Sequence, residues 1–359
     1  MSDTAWDRSD FRARVQAALD AFLGEQAARL APLGDDAGRL LAEARASVSG
    51  GKRFRAAFCY WGFHAVAGAP YDSTDDDALV RACASLELLH ASALVHDDYM
   101  DASDTRRGRP ATHRGFAAEH RADGWRGDPE QYGASAAILL GDLLLSWSDE
   151  LLRRCGLPTE RVVAALDVFD RCRSEVITGQ FLDVSVQARG AADVDAAMTV
   201  LRYKSAKYSV ERPLHIGATL AGGTGDQLAR LSAVGLPLGE AFQLRDDLLG
   251  VFGDPSTTGK PAGDDLVEGK RTVLVALALD SAPPAEGARL DAALGTALSE
   301  PDVAELRRII DESGAHHQVE QVIDQLVTKA TDAISRSELD PQARDVLLEL
   351  ATAATDRVV

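Results

Sequence analysis

A chain of 359 residues, 46% hydrophobic and 26% charged, carries enough apolar material for a sizeable core and lies far from the composition of disordered proteins. Its net charge of −18 excludes a sequence-independent nucleic-acid binder and a basic helix adsorbed on an anionic membrane, so any anionic ligand needs a local basic pocket. Four scattered cysteines (Cys59, Cys83, Cys155, Cys172) show neither metal-ligand nor C-x-x-C spacing and read as reduced core residues of a cytoplasmic protein.

The N-terminal segment MSDTAWDRSDFRARV lacks a basic start followed by an apolar stretch, which argues against a secretory signal, and residues 1–8 read as a disordered lead-in. Phe11, Val15, Leu19, Phe22 and Leu23 then recur every three to four residues, and the same helical period returns at Leu79, Ala82, Leu86 and Leu89. Breakers at Gly50-Gly51, 68–70, 124–129, Gly222-Gly223 and 253–263 divide the chain into roughly a dozen helices. Helix starts are predicted at Pro158-Thr159-Glu160 and at Asp193. The apolar segment AILLGDLLLSW is interrupted by Asp142 and is too short to span a bilayer, so no stable membrane insertion is expected. No Pro/Gly/Ser-rich linker divides the chain, which predicts a single all-α domain over 1–359, a bundle of long helices around a central cavity.

Chemistry-bearing residues punctuate this pattern. Lys52, Arg53 and Arg55 follow the Gly50-Gly51 break at the start of an apolar helix, where backbone N–H groups and the helix dipole reinforce attraction for phosphate. In ELLHASALVHDDYMDASDTRRG, Asp97, Asp98 and Asp101 stand at i, i+1 and i+4 and form a carboxylate claw on a face shared with His90 and Ala93. Like charges buried together need a cation between them, and an oxygen-only donor set favours magnesium. Arg106 and Arg107 follow closely enough to fork onto the same ligand. Gln180 and Asp183 lie within a long helix, with Lys204 and Ser205 about one helix later. Gln243 precedes a second acidic pair, Asp246 and Asp247. The stretch 253–265, GDPSTTGKPAGDD, reads as a mobile active-site loop, with Lys260 inside it and Lys270 beyond.

In order and rough spacing, GGKRFR, HDDYMDASDTRRG, GQFLD, YKSAKY, FQLRDDLLG and GKPAGDDLVEGKRT resemble the trans-isoprenyl diphosphate synthase family, of the geranylgeranyl type, across residues 50–275. The resemblance implies an isoprenoid-synthase fold, a homodimer, and head-to-tail condensation of isopentenyl diphosphate with dimethylallyl, geranyl or farnesyl diphosphate. It implies that Asp97, Asp98 and Asp101, with Asp246 and Asp247, hold three magnesium ions on the allylic diphosphate, with Asp183 near them. Lys204, Lys260 and Arg106 then grip that diphosphate, and Lys52, Arg55, His90 and Arg107 bind isopentenyl diphosphate. Gln180 and Lys270 support the substrates, and Ser205 and Gln243 set dipoles against a carbocation. Two departures stand out: Gly250 occupies a position where many relatives have a third aspartate, and Ser205 replaces a more frequent threonine.

Small residues at Ala93 and Ser92, four and five positions before Asp97, with Leu89 as a deeper floor, imply geranylgeranyl diphosphate as product. Chains of twenty-five carbons or more, or of fifteen, are the alternatives. A class I terpene cyclase shares the first acidic motif, but its Asn/Asp-Asp-x-x-Ser-x-x-x-Glu second motif does not match DDLLGVFGD. A catalytically silent subunit would usually lack one of the acidic pairs, and both are present.

Overall fold

The computed structural model of the protein describes residues 6–67, 73–190, 193–254 and 263–355. The fold is all-α, as expected, and its internal contacts divide it into two compact units, Met1–Leu166 with Ile216–Gly223, and Asp167–His215 with Thr224–Val359.

The first unit contains α1 (Arg8–Leu30), α2 (Asp35–Ser47), α3 (Phe54–Ala67), α4 (Ser73–Met100), α5 (Thr112–Ala122) and α6 (Pro129–Arg153). The Asp7 carboxylate starts α1 by accepting from the backbone N–H groups of Ser9 (2.8 Å) and Asp10 (3.1 Å). Trp6 packs its ring 5.5 Å from Phe11 and 5.7 Å from Trp61, so the chain is already built into the fold at residues 6–8 rather than trailing loosely. Two-residue strands β1 (Thr105–Arg106) and β2 (Arg109–Pro110) form a short antiparallel hairpin that helical periodicity could not announce. At the centre runs α4, against which α1, α3, α5 and α6 pack, and its periodic residues Leu79, Ala82, Leu86 and Leu89 are all buried. Over Asp75–Met100 this helix is long and apolar enough to cross a membrane, but 78% of the window is buried inside protein, as in the core helix of a soluble fold.

The second unit takes up α7 (Thr159–Arg189) from residue 167, followed by α8 (Val194–Val200), an eleven-residue π-helix (Leu201–Glu211), α9 (Arg212–Leu220, its residues to His215) and α10 (Gly225–Phe252). Both predicted helix starts are observed: α7 begins at Thr159, and the Asp193 carboxylate caps α8 through the Asp195 N–H at 3.0 Å. A reciprocal cap opens α10, in which Gln227 N–H donates to the Thr224 hydroxyl (3.3 Å) and Thr224 N–H to the Gln227 side chain (2.8 Å). The remaining helices are Asp264–Glu268, Val273–Ser281, Pro284–Ala293, Glu300–Glu312, Ala315–Ser335 and Pro341–Thr355. They exceed the expected dozen because Gly269, Pro284, Gly314 and Pro341 cut the C-terminal third into short pieces. Leu244, Leu248 and Val251 of α10 pack with Leu274, Ile309, Ile310 and Ile323 as this unit's core. All four cysteines are buried free thiols.

Candidate active site

Asp97 and Asp98 occupy the last turn of α4, and Asp101 lies just beyond it, so the claw straddles a helix end. Asp101 N–H still bonds the Asp97 carbonyl at 2.8 Å, which preserves their i, i+4 relation. The helix then stops in a left-handed cap. Ala102, at φ 55°, donates to the Tyr99 carbonyl (3.2 Å) and Ser103 to the Asp98 carbonyl (2.9 Å), the paired bonds of a Schellman turn without its usual glycine. Arg107 (φ 52°) and Gly108 (φ 72°) are the turn residues of the β1–β2 hairpin, whose two positive φ values match the tight turn that suits strand twist. The hairpin carries Arg106 back to Asp98, which is only 3% exposed: Arg106 Nε donates to Asp98 Oδ1 at 2.8 Å, and Arg106 Nη2 reaches the same oxygen.

The basic residues after Gly50-Gly51 divide by role. Arg53 is buried at φ 57° and donates to Glu87 (2.9 Å), Gln16 (2.6 Å) and the Val48 carbonyl (2.5 Å), so it ties α3 to α1 and α4. Lys52 on the turn is exposed, and Arg55 lies in the first turn of α3. Arg107 donates to the Ser49 carbonyl at 3.2 Å, and its guanidinium lies 3.4 Å from where a Cβ on Gly51 would stand. Burial first, and then the charges of Arg55, Arg107, Arg106 and Arg53, hold the His90 imidazole well below its ordinary pKa, so it is neutral at physiological pH. Four arginines thus set a positive potential around His90 in a chain of net charge −18.

Of the residues read as setting chain length, Leu89 is buried and Ala93 is partly exposed. Ser92 is buried, and its hydroxyl donates to the Gly141 carbonyl of α6 at 2.7 Å, which places it in the α4–α6 packing.

In the second unit the π-helix carries Lys204 and Ser205. Being wider than an α-helix, it needs room, and glycines on both neighbours provide it. A Cβ on Gly179 of α7 would overlap the backbone of Tyr203 and Lys204, and one on Gly239 of α10 would overlap the backbone of Ala206. Lys204 Nζ donates to Asp183 Oδ2 on α7 at 2.6 Å, whereas the Ser205 hydroxyl donates to the Gln243 side-chain oxygen on α10. Gln243 Nε2 in turn donates to Asp247 Oδ1 at 2.7 Å. The far end of the π-helix is anchored by Glu175, which accepts from Lys207 (3.3 Å) and from Arg212 (2.6 and 2.7 Å), a network the sequence did not disclose. Gln180 lies one turn before Asp183 on the same helix and is partly exposed.

Asp247 is buried beside partly exposed Asp246. Desolvation, then the charge of Asp265, with a smaller share from Asp246, push its carboxyl up to about 8, against opposing effects of the Gln243 hydrogen bond and Lys270. Lys270 Nζ stands 2.5 Å from the Glu268 carboxylate and 3.5 Å from that of Asp265. Lys260, with the rest of 255–262, lies outside the described residues, and so does most of the loop expected to be mobile.

Among the described residues, no group of three or more His, Cys, Asp or Glu side chains converges closely enough to cage a metal. Magnesium does not require a cage, since it retains waters and phosphate oxygens and takes one or two carboxylates from the protein. Asp98, buried against the Arg106 guanidinium, and Asp247, buried where desolvation and then Asp265 raise its pKa to about 8, offer only oxygen donors. The all-oxygen donor set therefore fits magnesium delivered with a diphosphate.

Comparison with known proteins agrees. Residues 39–312 match the polyprenyl synthetase family. A geranylgeranyl diphosphate synthase of Mycobacterium tuberculosis is 33% identical over 293 residues, covering 80% of this chain and 76% of that relative. A geranylfarnesyl diphosphate synthase of Aeropyrum pernix is 33% identical over 279 residues, covering 77% of this chain and 81% of its own length. The crystal structure of a geranylgeranyl pyrophosphate synthase from Corynebacterium glutamicum, complexed with isoprenyl diphosphate and magnesium, is 41% identical and superposes with a TM-score of 0.95 over 98% of this chain and 100% of that one. The chain belongs to the polyprenyl synthetase family and is a magnesium-dependent prenyltransferase that joins isopentenyl diphosphate to allylic diphosphates.

Proposed function

We propose that the protein makes geranylgeranyl diphosphate, working as a cytoplasmic homodimer. The observation that carries this is Ala93, a small, partly exposed residue one turn before Asp97 on the face that bears the claw, with buried Leu89 one turn deeper. A short side chain there leaves room for a growing prenyl tail, and Leu89 limits it. The neighbouring Ser92 is buried, with its hydroxyl bonded to α6, and contributes less open space than Ala93.

In this reading Asp97, Asp98, Asp101, Asp246 and Asp247 bind the metal-bearing allylic diphosphate, assisted by Asp183, while Lys204, Arg106 and Lys260 take its remaining charge. Bound magnesium supplies the positive charge that stabilises the departing diphosphate. Lys52, Arg55, Arg107 and neutral His90 hold isopentenyl diphosphate, with His90 as a hydrogen-bonding group rather than a cation. The allylic C–O bond ionises in a water-poor site, the double bond of isopentenyl diphosphate attacks the cation, and the released pyrophosphate takes the proton. Ser205 and Gln243, already bonded to one another, offer oriented dipoles to the cation, and Gln180 and Lys270 support the substrates.

Incubating the protein with magnesium, isopentenyl diphosphate and each of the five-, ten- and fifteen-carbon allylic diphosphates, then sizing the products, tests this. A twenty-carbon main product is expected. A longer one would favour the geranylfarnesyl alternative that the Aeropyrum pernix relative represents. Ala93→Phe should shorten the product, and an unchanged length would remove Ala93 from the pocket wall.

A further inference from the structure

We propose that Glu175, Arg212 and His215 are positioning residues for the prenyl transfer, holding the π-helix in register so that Lys204 and Ser205 face the allylic diphosphate. The inference rests on the roles given above to Lys204 and Ser205. A π-helix bonds each N–H one residue farther back than an α-helix does, and such segments occur mostly as single turns. Eleven residues wound this way need ties beyond their own backbone. At the near end two of those ties are Lys204 to Asp183 and Ser205 to Gln243, the very groups that turn to substrate in the reaction, while Arg202 donates to Glu240 at 2.7 Å. Once Lys204 and Ser205 exchange their partners for the diphosphate and the cation, the register depends on the far end. Relaxation to an α-helix would turn Lys204 about the axis relative to Arg212, because the two forms take different numbers of residues per turn.

The far end is committed to partners that have no place at the substrate. Arg212 N–H donates to the Lys207 carbonyl five residues back, and the buried Arg212 guanidinium forks onto Glu175 of α7, Nε to Oε2 at 2.6 Å and Nη2 to Oε1 at 2.7 Å. The third nitrogen, Nη1, meets Nδ1 of buried His215 at 3.1 Å. His215 Nε2 lies 3.0 Å from the Leu228 carbonyl of α10, which can only accept, so Nε2 carries the ring proton and Nδ1 keeps the lone pair that Arg212 needs. Desolvation lowers the His215 pKa and holds the ring in this neutral form. One turn on, the Ser232 hydroxyl donates to Glu211 Oε1 at 2.8 Å and lies 3.0 Å from the same imidazole nitrogen. Gly235 lets α10 come this close, since a Cβ there would stand 2.9 Å from the Glu211 Cα. Arg212 thereby fastens the end of the π-helix to α7 directly and to α10 through His215.

The test is steady-state kinetics of the whole enzyme with magnesium and both substrates, with circular dichroism and melting temperature to establish folding. Glu175→Gln, which keeps the size and removes the charge that Arg212 grips, is expected to lower kcat about tenfold. The KM for isopentenyl diphosphate should hold, because the residues proposed to bind it lie in the first unit. In a background carrying Lys204→Ala and Ser205→Ala the same substitution should cost less than about twofold, since the residues it acts through are gone. His215→Phe, which keeps a ring and removes both nitrogens, should follow the same pattern. Equal losses in the two backgrounds, or wild-type kcat with only a lower melting temperature, would make the network purely structural and overturn the proposal. Wild-type kcat in the Lys204→Ala, Ser205→Ala protein would instead overturn the reading of those two residues, and the proposal with it. If Glu175→Gln does not fold, His215→Phe decides by the same comparison of backgrounds.

Discussion

Asp98 in the first unit and Asp247 in the second are both buried, 3% and 7% exposed, yet their charge is met in opposite ways. Beside Asp98 stands the Arg106 guanidinium, and burial, then the arginine cluster to which Arg106 belongs, suppresses protonation of His90. Around Asp247 desolvation and then the Asp265 charge raise the pKa to about 8, so that a proton takes the place of a cation. One carboxylate is therefore met by a guanidinium and the other by a proton. The sequence already shows one asymmetry, three aspartates in the first set against two in the second with Gly250 at the third position, but not the difference in their surroundings. A guanidinium stands beside one, and carboxylates with the Lys270 ammonium stand near the other.

The largest expected effect comes from Asp98→Ala, which should lower turnover on the order of 10²–10³-fold with the helical circular dichroism intact. Near wild-type activity would end the metal role of the first acidic set. Next is Gly179→Ala, whose methyl would displace the π-helix at Lys204 and should cost about 10²-fold in kcat. An unchanged kcat would show that the exact seating of Lys204 and Ser205 does not matter.

Two pH effects of opposite sign sharpen the contrast. With its pKa raised from 3.8 to about 8, Asp247 binds a proton in the native state that the unfolded chain has already lost, so its contribution to stability falls as pH rises between those values. By the same logic, magnesium-dependent pyrophosphate affinity should climb toward about 8, and Asp247→Asn should abolish that proton release in calorimetry. For His90 the sign reverses. Its pKa lies well below 6.5, so the unfolded chain binds the extra proton, and its contribution is complete above 6.5 and lost as pH falls below. His90→Gln should flatten the acid side of the thermal-stability profile, the smallest effect of the four, and an unaltered slope would remove His90 as its source.

Much of this was legible beforehand. The starts at Thr159 and Asp193, the buried period of α4 and the claw at its end follow from side-chain chemistry and helical spacing, which are local properties. The split between Arg53 and its neighbours was not, because a partner such as Glu87 lies thirty-four positions away. Nor was the π-helix: YKSAKY has no pattern distinguishing it from an α-helix, and the room it needs is made by glycines on other helices. The Ser92 hydrogen bond to the Gly141 carbonyl was not legible either, because its partner lies forty-nine positions away on another helix. A small residue serves helix packing as readily as it leaves room in a pocket, as Ser92 against α6 shows.

The alanine that ends α4 bears on efforts to stabilise the protein. A left-handed L-residue costs roughly 1–2 kcal/mol, and glycine would relieve that, but glycine gives back roughly 0.5–1 kcal/mol in unfolded-state entropy. Ala102→Gly is thus close to neutral in melting temperature. It is not neutral in stiffness, because the methyl narrows the basin from which the hairpin departs. A thermostability screen would pass over this exchange, although it would relax the aim of Arg106 at Asp98.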